Sequence, residues 1–305
     1  MNSSRQKGVA IIMVLLIVAL ATTLAAYMAT QQNLWLRQVE RQLDRTQARR
    51  LGIAGVDWAR AVLADDAHIS EVDHDKEMWA MRLPAMPVES GEVIGVIEDQ
   101  QGLYNLNNLV RNGVTSAPDV AQFQRLLGIL GLPVELATAL SDWMDTDSET
   151  QYPNGAENVY YLSLKQPYRA ANRPLSELGE LALVKGFDSS IIERLSHFVT
   201  VLPLPGPINV NFSPPEVLAA VADNMSLADA RLLVQQRNLR FFKSLADFRQ
   251  RLPNEGIIMS EGNITVSSRF FLVTGRATVG RAQVNTQALL LRQGGWPSVV
   301  WQHIQ

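Results

Sequence analysis

The sequence has 305 residues, enough for one large or two ordinary domains with a further tail. Its formal net charge of −3 and sequence pI near 5.9 exclude the global basic field that nucleic-acid-binding proteins present. Cysteine is absent, which excludes disulfides, thiolate metal sites and cysteine nucleophiles. The hydrophobic fraction of 47% is high for a simple soluble domain, and much of the excess lies near the N-terminus.

A long apolar segment follows a short basic N-terminus. No charged residue lies in 9–36, and about 20 apolar residues in a helix cross a hydrocarbon core of ~30 Å. Arg5 and Lys7 precede the segment, so the positive-inside rule predicts a single span with a cytoplasmic N-terminus and an exported remainder. A cleaved secretory signal is one alternative, but its apolar region would have only about 7–15 residues. The other alternative is a plain membrane anchor that is not processed.

The helical pattern continues beyond the apolar segment. No proline occurs from Asn33 to about Ala64, and apolar residues recur there at helical spacing among arginines and acids. We predict one continuous helix of about 56 residues, roughly 84 Å long, whose second half is amphipathic. The apolar stripe from Leu36 to Val62 is the predicted surface for packing against partner helices. Gly52 and Gly55 are predicted to weaken or bend the helix.

The segment RQKGVAIIMVLLIVALATTLAA at residues 5–26 resembles the start of type IV pilin-like proteins. In that family a prepilin peptidase on the cytoplasmic face cuts after the leader glycine. The resemblance implies cleavage between Gly8 and Val9 and N-methylation of Val9. Most members carry glutamate as the fifth mature residue, to pair with the N-terminal amine of the subunit ahead, but Met13 stands there in this sequence. Met13 therefore fits a subunit at the tip, with no subunit ahead of it. The simpler alternative is a lipid-facing apolar residue.

Strand and helix patterns alternate downstream. The acidic stretch 65–75 predicts a loop, and Glu92–Ile97 predicts a strand. Helices are predicted near 118–130, 134–143, 175–199, 213–222, 227–237 and 245–251. The pattern Asn105-Leu106-Asn107 recurs as Asn209-Val210-Asn211, each time before helices, which we interpret as a weak internal repeat.

The C-terminal part is β-like, with strands predicted at Ile264–Val266, Phe270–Ala277 and Ala282–Leu291 and a hairpin turn at 279–281. The element order predicts an α+β fold, in which a pilin-like long N-terminal helix packs on a small antiparallel sheet that carries a large inserted all-α domain. This order, with the segments NLNNL and INVNFSPPEVL, resembles the GspK family of type II secretion minor pseudopilins over nearly the whole chain.

The predicted units follow from these elements and this resemblance. They are a leader peptide (1–8), the transmembrane half of the helix (9–30), its amphipathic half (31–66), the first part of the β region (67–110), the inserted helical domain (111–255) and the C-terminal strands (256–305).

The densest group of acids lies at residues 142–157. Oxygen-rich alternation of this kind suits calcium, which takes six to eight oxygen ligands in flexible loops. The spacing does not match an EF-hand, and a solvated acidic turn after a helix is the alternative. The run D-W-x-D-x-D followed by G-A-E-x-x-Y-Y resembles a calcium-binding region of the GspK family. The resemblance implies the calcium ligands Asp142, Asp145, Asp147 and Glu157, with Glu149 as a further candidate.

No motif indicates an enzyme. The four histidines lack metal-ligand spacing, the serines lack a G-x-S-x-G setting, and no Walker or dinucleotide glycine pattern occurs. The helices of residues 208–251 resemble helix-hairpin-helix DNA-binding units, but the join before Leu245 has no glycine to offer N–H groups to phosphate.

The resemblance implies a minor pseudopilin that caps the pseudopilus tip and supports export of folded proteins across the outer membrane. Its expected partners are GspI-like and GspJ-like minor pseudopilins, the pseudopilus, the prepilin peptidase and the membrane. The secretin and secreted proteins are further candidates, and no nucleic acid is expected. The expected location is the inner membrane, with the C-terminal domain in the periplasm. The alternative function is that of a DNA-binding competence-type minor pilin.

Overall fold

The computed structural model describes residues 3–82, 84–88 and 91–305, so Met1 and Asn2 of the predicted leader lie outside the described residues. Helix α1 runs without interruption over Ser3–Ile69 and is long and apolar enough to cross a membrane. It therefore extends into the stretch that the sequence predicts as a loop. The helix is followed by Ser70, whose hydroxyl donates to the carbonyl oxygen of Val72 and accepts from the N–H of Val72, a local arrangement that competes with further helix.

The remaining chain forms seven more helices and eleven strands within the described residues. The helices are α2 (Ala117–Ile129), α3 (Leu136–Met144), α4 (Asn158–Leu162), α5 (Ser189–Leu195), α6 (Pro215–Val221), α7 (Leu227–Leu239) and α8 (Leu245–Gln250). The strands are β1 (Met86–Val88), β2 (Gly91–Asp99), β3 (Tyr104–Asn105), β4 (Val110–Arg111), β5 (Val114–Thr115), β6 (Val199–Thr200), β7 (Ile208–Asn209), β8 (Ile264–Thr265), β9 (Phe270–Val279), β10 (Ala282–Leu291) and β11 (Ser298–Ile304). Short 3₁₀ helices lie at Met78–Ala80, Leu106–Leu109, Leu178–Leu183 and Glu261–Asn263.

Five strands form one antiparallel sheet in the order β1-β2-β9-β10-β11, which confirms the predicted α+β fold with a long helix on a small sheet. The predicted turn joins β9 to β10, and Gly280 takes the positive φ of 54° that the tight turn requires. Strand β11, which was not predicted, pairs with β10 at the edge of the sheet.

The second half of α1 packs on this sheet. Val56, Ala59 and Leu63 are buried against Phe271, Val273 and other apolar residues of the strands. At Gly52 an added Cβ would lie 2.3 Å from Thr286 Oγ1, so only glycine permits this close approach of helix to sheet. The glycine that the sequence suggested as a weak point is therefore a contact point.

A large, mostly helical module is inserted between two neighbouring strands. Strands β2 and β9 pair with Asp99 opposite Phe271, so residues 100–269 leave the sheet and return to it at the same end. The core of this module includes Tyr104 and Leu106 before the predicted bound at residue 111 and Ile264 after the predicted bound at residue 255. The insertion therefore spans more of the chain than the predicted unit 111–255. Three short two-stranded ladders lie among its helices.

The repeated Asn-x-Asn pattern marks two similar local arrangements. Strands β3 and β6 form one short parallel pair, and β7 and β8 form the other. Asn107 is buried, accepts from the N–H of Leu175 at 2.8 Å and donates to its carbonyl at 3.0 Å. Asn211 does the same with Phe242, at 2.8 Å and 3.0 Å. Each buried side-chain amide thus satisfies the backbone N–H and carbonyl of a loop residue that has no strand partner, and so fixes the loop.

The inserted module and the apolar half of α1 lie at opposite ends of the sheet. At one end the β9–β10 turn is close to Asp44, whose carboxylate would contact a Cβ added to Gly280. At the other end, where β2 and β9 connect to the module, Arg292 donates to Asp66 near the end of α1, at 2.9 Å. Because α1 is continuous, the module is displaced along the helix away from the N-terminal half.

Candidate functional site

Three of the predicted acids, Asp145, Asp147 and Glu157, come together at the C-terminal end of α3, whereas Asp142 and Glu149 lie outside this close group. Asp142 lies in the last turn of α3, and Asp145 is its C-cap residue in extended conformation. The chain returns so that Glu157 precedes α4. Asp142, Asp145 and Glu157 are only 0%, 1% and 2% exposed, which is unusual for carboxylates. One carboxylate oxygen from each of Asp145, Asp147 and Glu157 lies within 4.8 Å of the others.

Several of these oxygens have no hydrogen-bond partner. Asp142 Oδ1, Asp145 Oδ1 and both carboxylate oxygens of Glu157 are buried without a donor. The second oxygens of the two aspartates do have donors: the N–H of Gln151 lies 3.1 Å from Asp142 Oδ2, and Thr115 Oγ1 lies 2.9 Å from Asp145 Oδ2. Buried carboxylate oxygens without a donor or a cation are costly, so the arrangement fits an oxygen-binding cation.

Burial and mutual repulsion raise the pKa values of these acids. Burial raises the pKa of Asp142 to about 6, and the carboxylate of Asp145 contributes to the rise. Burial raises the pKa of Glu157 to about 7, with further contributions from Asp142 and Asp145. Burial also raises the pKa of Asp145. A bound divalent cation would stabilise the ionised carboxylates and reverse these shifts.

Nearby positive charge within the described residues does not neutralise the group. Lys185 is close, but its ammonium donates to the carbonyl oxygens of Asn154 and Gly155 at 3.4 Å and 3.3 Å and lies 4.9 Å from the ring centre of Tyr160. The loop passes close to Asp142 because Gly155 has no side chain: an added Cβ would lie 2.2 Å from Asp142 Oδ2.

The predicted ligands differ in their placement. Asp147 is exposed but joins the group through its carboxylate. Glu149 is also exposed, and its backbone N–H donates to Asp147 Oδ1 at 2.8 Å. The carboxylate of Glu149 is not part of the group whose oxygens lie within 4.8 Å of one another. Thr115 and Gln151, which both donate to Asp145, were not predicted from the sequence. Thr115 is distant in sequence and carries no local signal, whereas Gln151 lies within the acidic run itself.

A second acidic group, formed by Asp66, Asp73 and Glu77, is of a different kind. Arg292 occupies it, with guanidinium nitrogens 2.9 Å from Asp66 and 2.5 Å from Asp73. Trp79 Nε1 donates to Glu77 at 2.9 Å. These contacts join the end of α1 to the sheet and leave no place for a metal ion.

The residues of the predicted processing site lie on α1. Gly8 has no neighbour within 4 Å beyond its own helix, and Val9 and Met13 are 55% and 61% exposed. Exposure continues along the apolar half of the helix, where Leu16 and Leu20 are 67% and 69% exposed. This surface packs on nothing else in the described chain, as expected of a segment that meets lipid or other helices.

Three basic residues of the region 208–251, which the sequence compares with DNA-binding units, make contacts within the fold. Arg237 is 9% exposed and donates to the carbonyl oxygens of Val210 and Ser213 at 2.9 Å and 2.7 Å. Arg240 and Arg251 both form ion pairs with Asp247. These side chains do not form a phosphate-binding surface.

Comparisons with known proteins agree on one family. Two family models described as "Type II secretion system (T2SS), protein K" match residues 102–204 and 208–267, the two halves of the inserted module. The type II secretion system protein K of Pseudomonas aeruginosa is 36% identical over 93% of this chain and 88% of its own length. The protein K of Klebsiella pneumoniae is 32% identical over 95% of this chain and 94% of its own.

A solved structure shows the same fold. It is a chain from the GspK-GspI-GspJ complex of the enterotoxigenic Escherichia coli type 2 secretion system. That chain superposes with a TM-score of 0.76 and 25% sequence identity, over 88% of this chain and 99% of the other. The resemblance drawn from the sequence is thereby confirmed, and the DNA-binding alternative is not favoured. The chain belongs to the protein K family of the type II secretion system, the family of GspK minor pseudopilins.

Proposed function

We propose that this minor pseudopilin caps the pseudopilus tip together with GspI-like and GspJ-like subunits and so supports export of folded proteins. The observation that carries the proposal is the placement of the inserted module at the end of the sheet opposite the apolar half of α1. A subunit shaped in this way joins neighbours through its helix while its module occupies the distal end. No catalytic step is part of the proposal.

The exposed helix supplies the contact surface for these partners. Leu36, Leu43 and Trp58 remain 51%, 55% and 44% exposed along the predicted apolar stripe. Beside Trp58, an apolar groove between α1 and the sheet includes Met86 and Val93 among its lining residues. Burial of such a stripe against neighbouring helices releases water from apolar surface and stabilises the assembly.

The tip position is supported by Met13. A subunit inside the filament uses a buried carboxylate to pair with the N-terminal amine of the subunit ahead of it, since an unpaired charge in hydrocarbon is costly. Met13 is an apolar, exposed side chain on α1 and offers no such partner. The proposal therefore ends the filament at this subunit.

Membrane insertion and processing are part of the same proposal. Helix α1 would cross the inner membrane with a cytoplasmic N-terminus and place the sheet and module in the periplasm. The prepilin peptidase would cut between Gly8 and Val9, and Val9 would be N-methylated. A Cβ added to Gly8 would meet nothing within 4 Å, which supports access to this bond.

The module is proposed to bind calcium. Asp142, Asp145, Asp147 and Glu157 would hold the ion, with Glu149 as an outer candidate. The support is the set of buried carboxylate oxygens without donors, because calcium accepts six to eight oxygen ligands. Bound calcium would neutralise the acids and fix the loop between α3 and α4.

Complementation tests the proposed function. A strain that lacks its own protein K and carries this chain with its matching secretion system is expected to regain export of its secreted enzymes. The chain is expected to copurify with the GspI-like and GspJ-like subunits. Unrestored export from cells in which the chain accumulates would contradict the proposal.

A further inference from the structure

A cationic corner lies where α1 leaves the sheet toward its apolar half. It is lined by Arg41, Arg45 and Arg49 of α1 and by Arg281 of the β9–β10 turn, and its cavity volume is 680 Å³. The three helical arginines are four residues apart, so they lie along one side of the helix. All four arginines are exposed. Polar Gln38, Gln42 and Thr46 complete the wall on the helix side.

These arginines form no ion pair in the described part of the chain, and the nearest acid of the corner, Asp44, lies against Gly280 of the β9–β10 turn. Elsewhere on the protein, arginines such as Arg60, Arg111 and Arg292 form ion pairs with nearby acids. No hydrogen bond or ion pair of Arg41, Arg45, Arg49 or Arg281 is found within residues 3–82, 84–88 and 91–305. Residues 37–50 carry five arginines against two acids, in a chain whose overall charge is −3.

Such a row has an energetic consequence. Like charges four residues apart on a helix destabilise it by a few tenths of a kcal/mol per pair. A row of acids on a partner would convert each repulsion into an attraction, and Arg is suited to bidentate pairing with carboxylates. The corner therefore fits a carboxylate-bearing surface better than bulk solvent.

Distance from the membrane argues against lipid headgroups as that surface. If the hydrocarbon core ends near Met28, Arg41 lies about 20 Å and Arg49 about 32 Å farther along the helix. The headgroup layer adds only about 5–8 Å on each side. The gap exceeds a Debye length of about 8 Å at physiological salt, so lipid charge is screened at this height.

We propose that this corner, formed by Arg41, Arg45, Arg49 and Arg281, docks an acidic helical segment of a neighbouring pseudopilus subunit. The corner lies at the end of the sheet opposite the inserted module, which is the side on which a tip subunit meets the rest of the filament. The matching segment carries carboxylates about four residues apart, in register with the arginines. This inference rests on the proposed function and names the contact chemistry of that assembly.

A zero-length crosslink tests the inference directly. The full-length Arg45→Lys variant keeps the positive charge, and a carbodiimide joins its new amine only to an acidic group in contact. In cells that contain the complete secretion system, we expect an adduct at residue 45 that links an Asp or Glu of another pseudopilin, identified by mass spectrometry. The matched control is Arg231→Lys, an exposed arginine of α7, for which we expect at least tenfold less adduct.

Charge neutralisation provides the second arm. In an Arg41→Gln, Arg45→Lys, Arg49→Gln variant, which adds no carboxylate near residue 45, the adduct at residue 45 is expected to fall at least fivefold. An unchanged yield, the absence of a residue-45 adduct, or a phospholipid adduct in its place would overturn the inference. Export in the same cells reports on the proposed function separately. Restored export without the Arg45→Lys adduct removes the acidic-docking inference alone.

Discussion

The N–H of Gln151 donates to Asp142 Oδ2 at 3.1 Å, and this bond folds the loop after α3 back over a buried carboxylate. The same residue uses its side-chain amide to reach Asp145 Oδ2, also at 3.1 Å. Gln151 thus holds the outer oxygens of two aspartates while Asp142 Oδ1 and Asp145 Oδ1 remain buried without donors. A loop ordered in this way presents acids to an ion and should depend on that ion.

Calcium is therefore expected to stabilise the protein. At a free concentration about 100 times the dissociation constant, one bound ion contributes about 2.7 kcal/mol. We expect a higher melting temperature in calcium than in chelator, and we expect Asp145→Asn to lose most of the difference. Glu193→Gln is the matched control, because Glu193 is an exposed acid of α5 that is not among the candidate ligands. Equal melting temperatures of the wild-type protein in calcium and chelator would exclude the site.

The pH dependence of stability should report on Asp99. Burial raises the pKa of Asp99 to about 7, and its Oδ1 is buried without a donor. The folded protein then retains a proton that the unfolded chain releases near pH 4, so stability falls as pH rises from about 4 to 7. Asp99→Asn should reduce the difference in the free energy of unfolding between pH 5 and pH 7.5 by on the order of 1–2 kcal/mol, as measured by urea unfolding at the two pH values.

The comparison for Asp99 is an exposed acid. Glu193 lies on the surface of α5, and Glu193→Gln is expected to keep the wild-type difference between the two pH values. A wild-type-like difference in Asp99→Asn as well would show that Asp99 is ionised throughout this range.

The two glycines of α1 should respond in opposite ways to alanine. At Gly52 the new methyl would lie 2.3 Å from Thr286 Oγ1, so Gly52→Ala should destabilise the protein by about 1–3 kcal/mol. At Gly55 the nearest atom, Val93 Cγ1, is 3.9 Å away, so the gain in helix propensity should dominate and stabilise by up to about 1 kcal/mol. Chemical denaturation of both variants measures the difference, and equal effects would contradict the close contact.

The buried amide of Asn107 should be essential to the module. It donates to the carbonyls of Leu175 and Leu202 and accepts from the N–H of Leu175. Asn107→Ala leaves these buried groups unpaired, at an expected cost of about 2–4 kcal/mol. Asn238→Ala, at an exposed position of α7, should change the free energy of unfolding by less than about 0.5 kcal/mol. A neutral Asn107→Ala variant would show that the loop does not need the clamp.

Periodicity predicted the fold where one pattern dominates a segment. The unbroken helix, the β9–β10 hairpin and most helices of the module follow from local spacing, since each element carries its own apolar period. Strand β11 could not be predicted from local spacing, because its pairing with β10 depends on tertiary contacts that form after a Gly- and Pro-containing segment. The extent of the insertion was also hidden, since it is defined by the pairing of β2 with β9 across 170 intervening residues, 100–269.

The candidate site was predictable in its acids but not in their support. Alternating carboxylates are visible along residues 142–149, and the family resemblance added Glu157. The role of Thr115 was not visible, because it reaches Asp145 from a separate β-ladder. Gly52 was predicted as a weak point from helix propensity, yet its tertiary contact with Thr286 determines its role.

Mass spectrometry of the N-terminal peptide, from protein purified out of the membrane of cells with an active prepilin peptidase, tests the central claim most directly. An assembled minor pseudopilin must begin at N-methylated Val9, with the eight-residue leader removed. An intact Met1, or a start inside the apolar segment near Thr22, would show an ordinary anchor or a cleaved signal and would contradict the account.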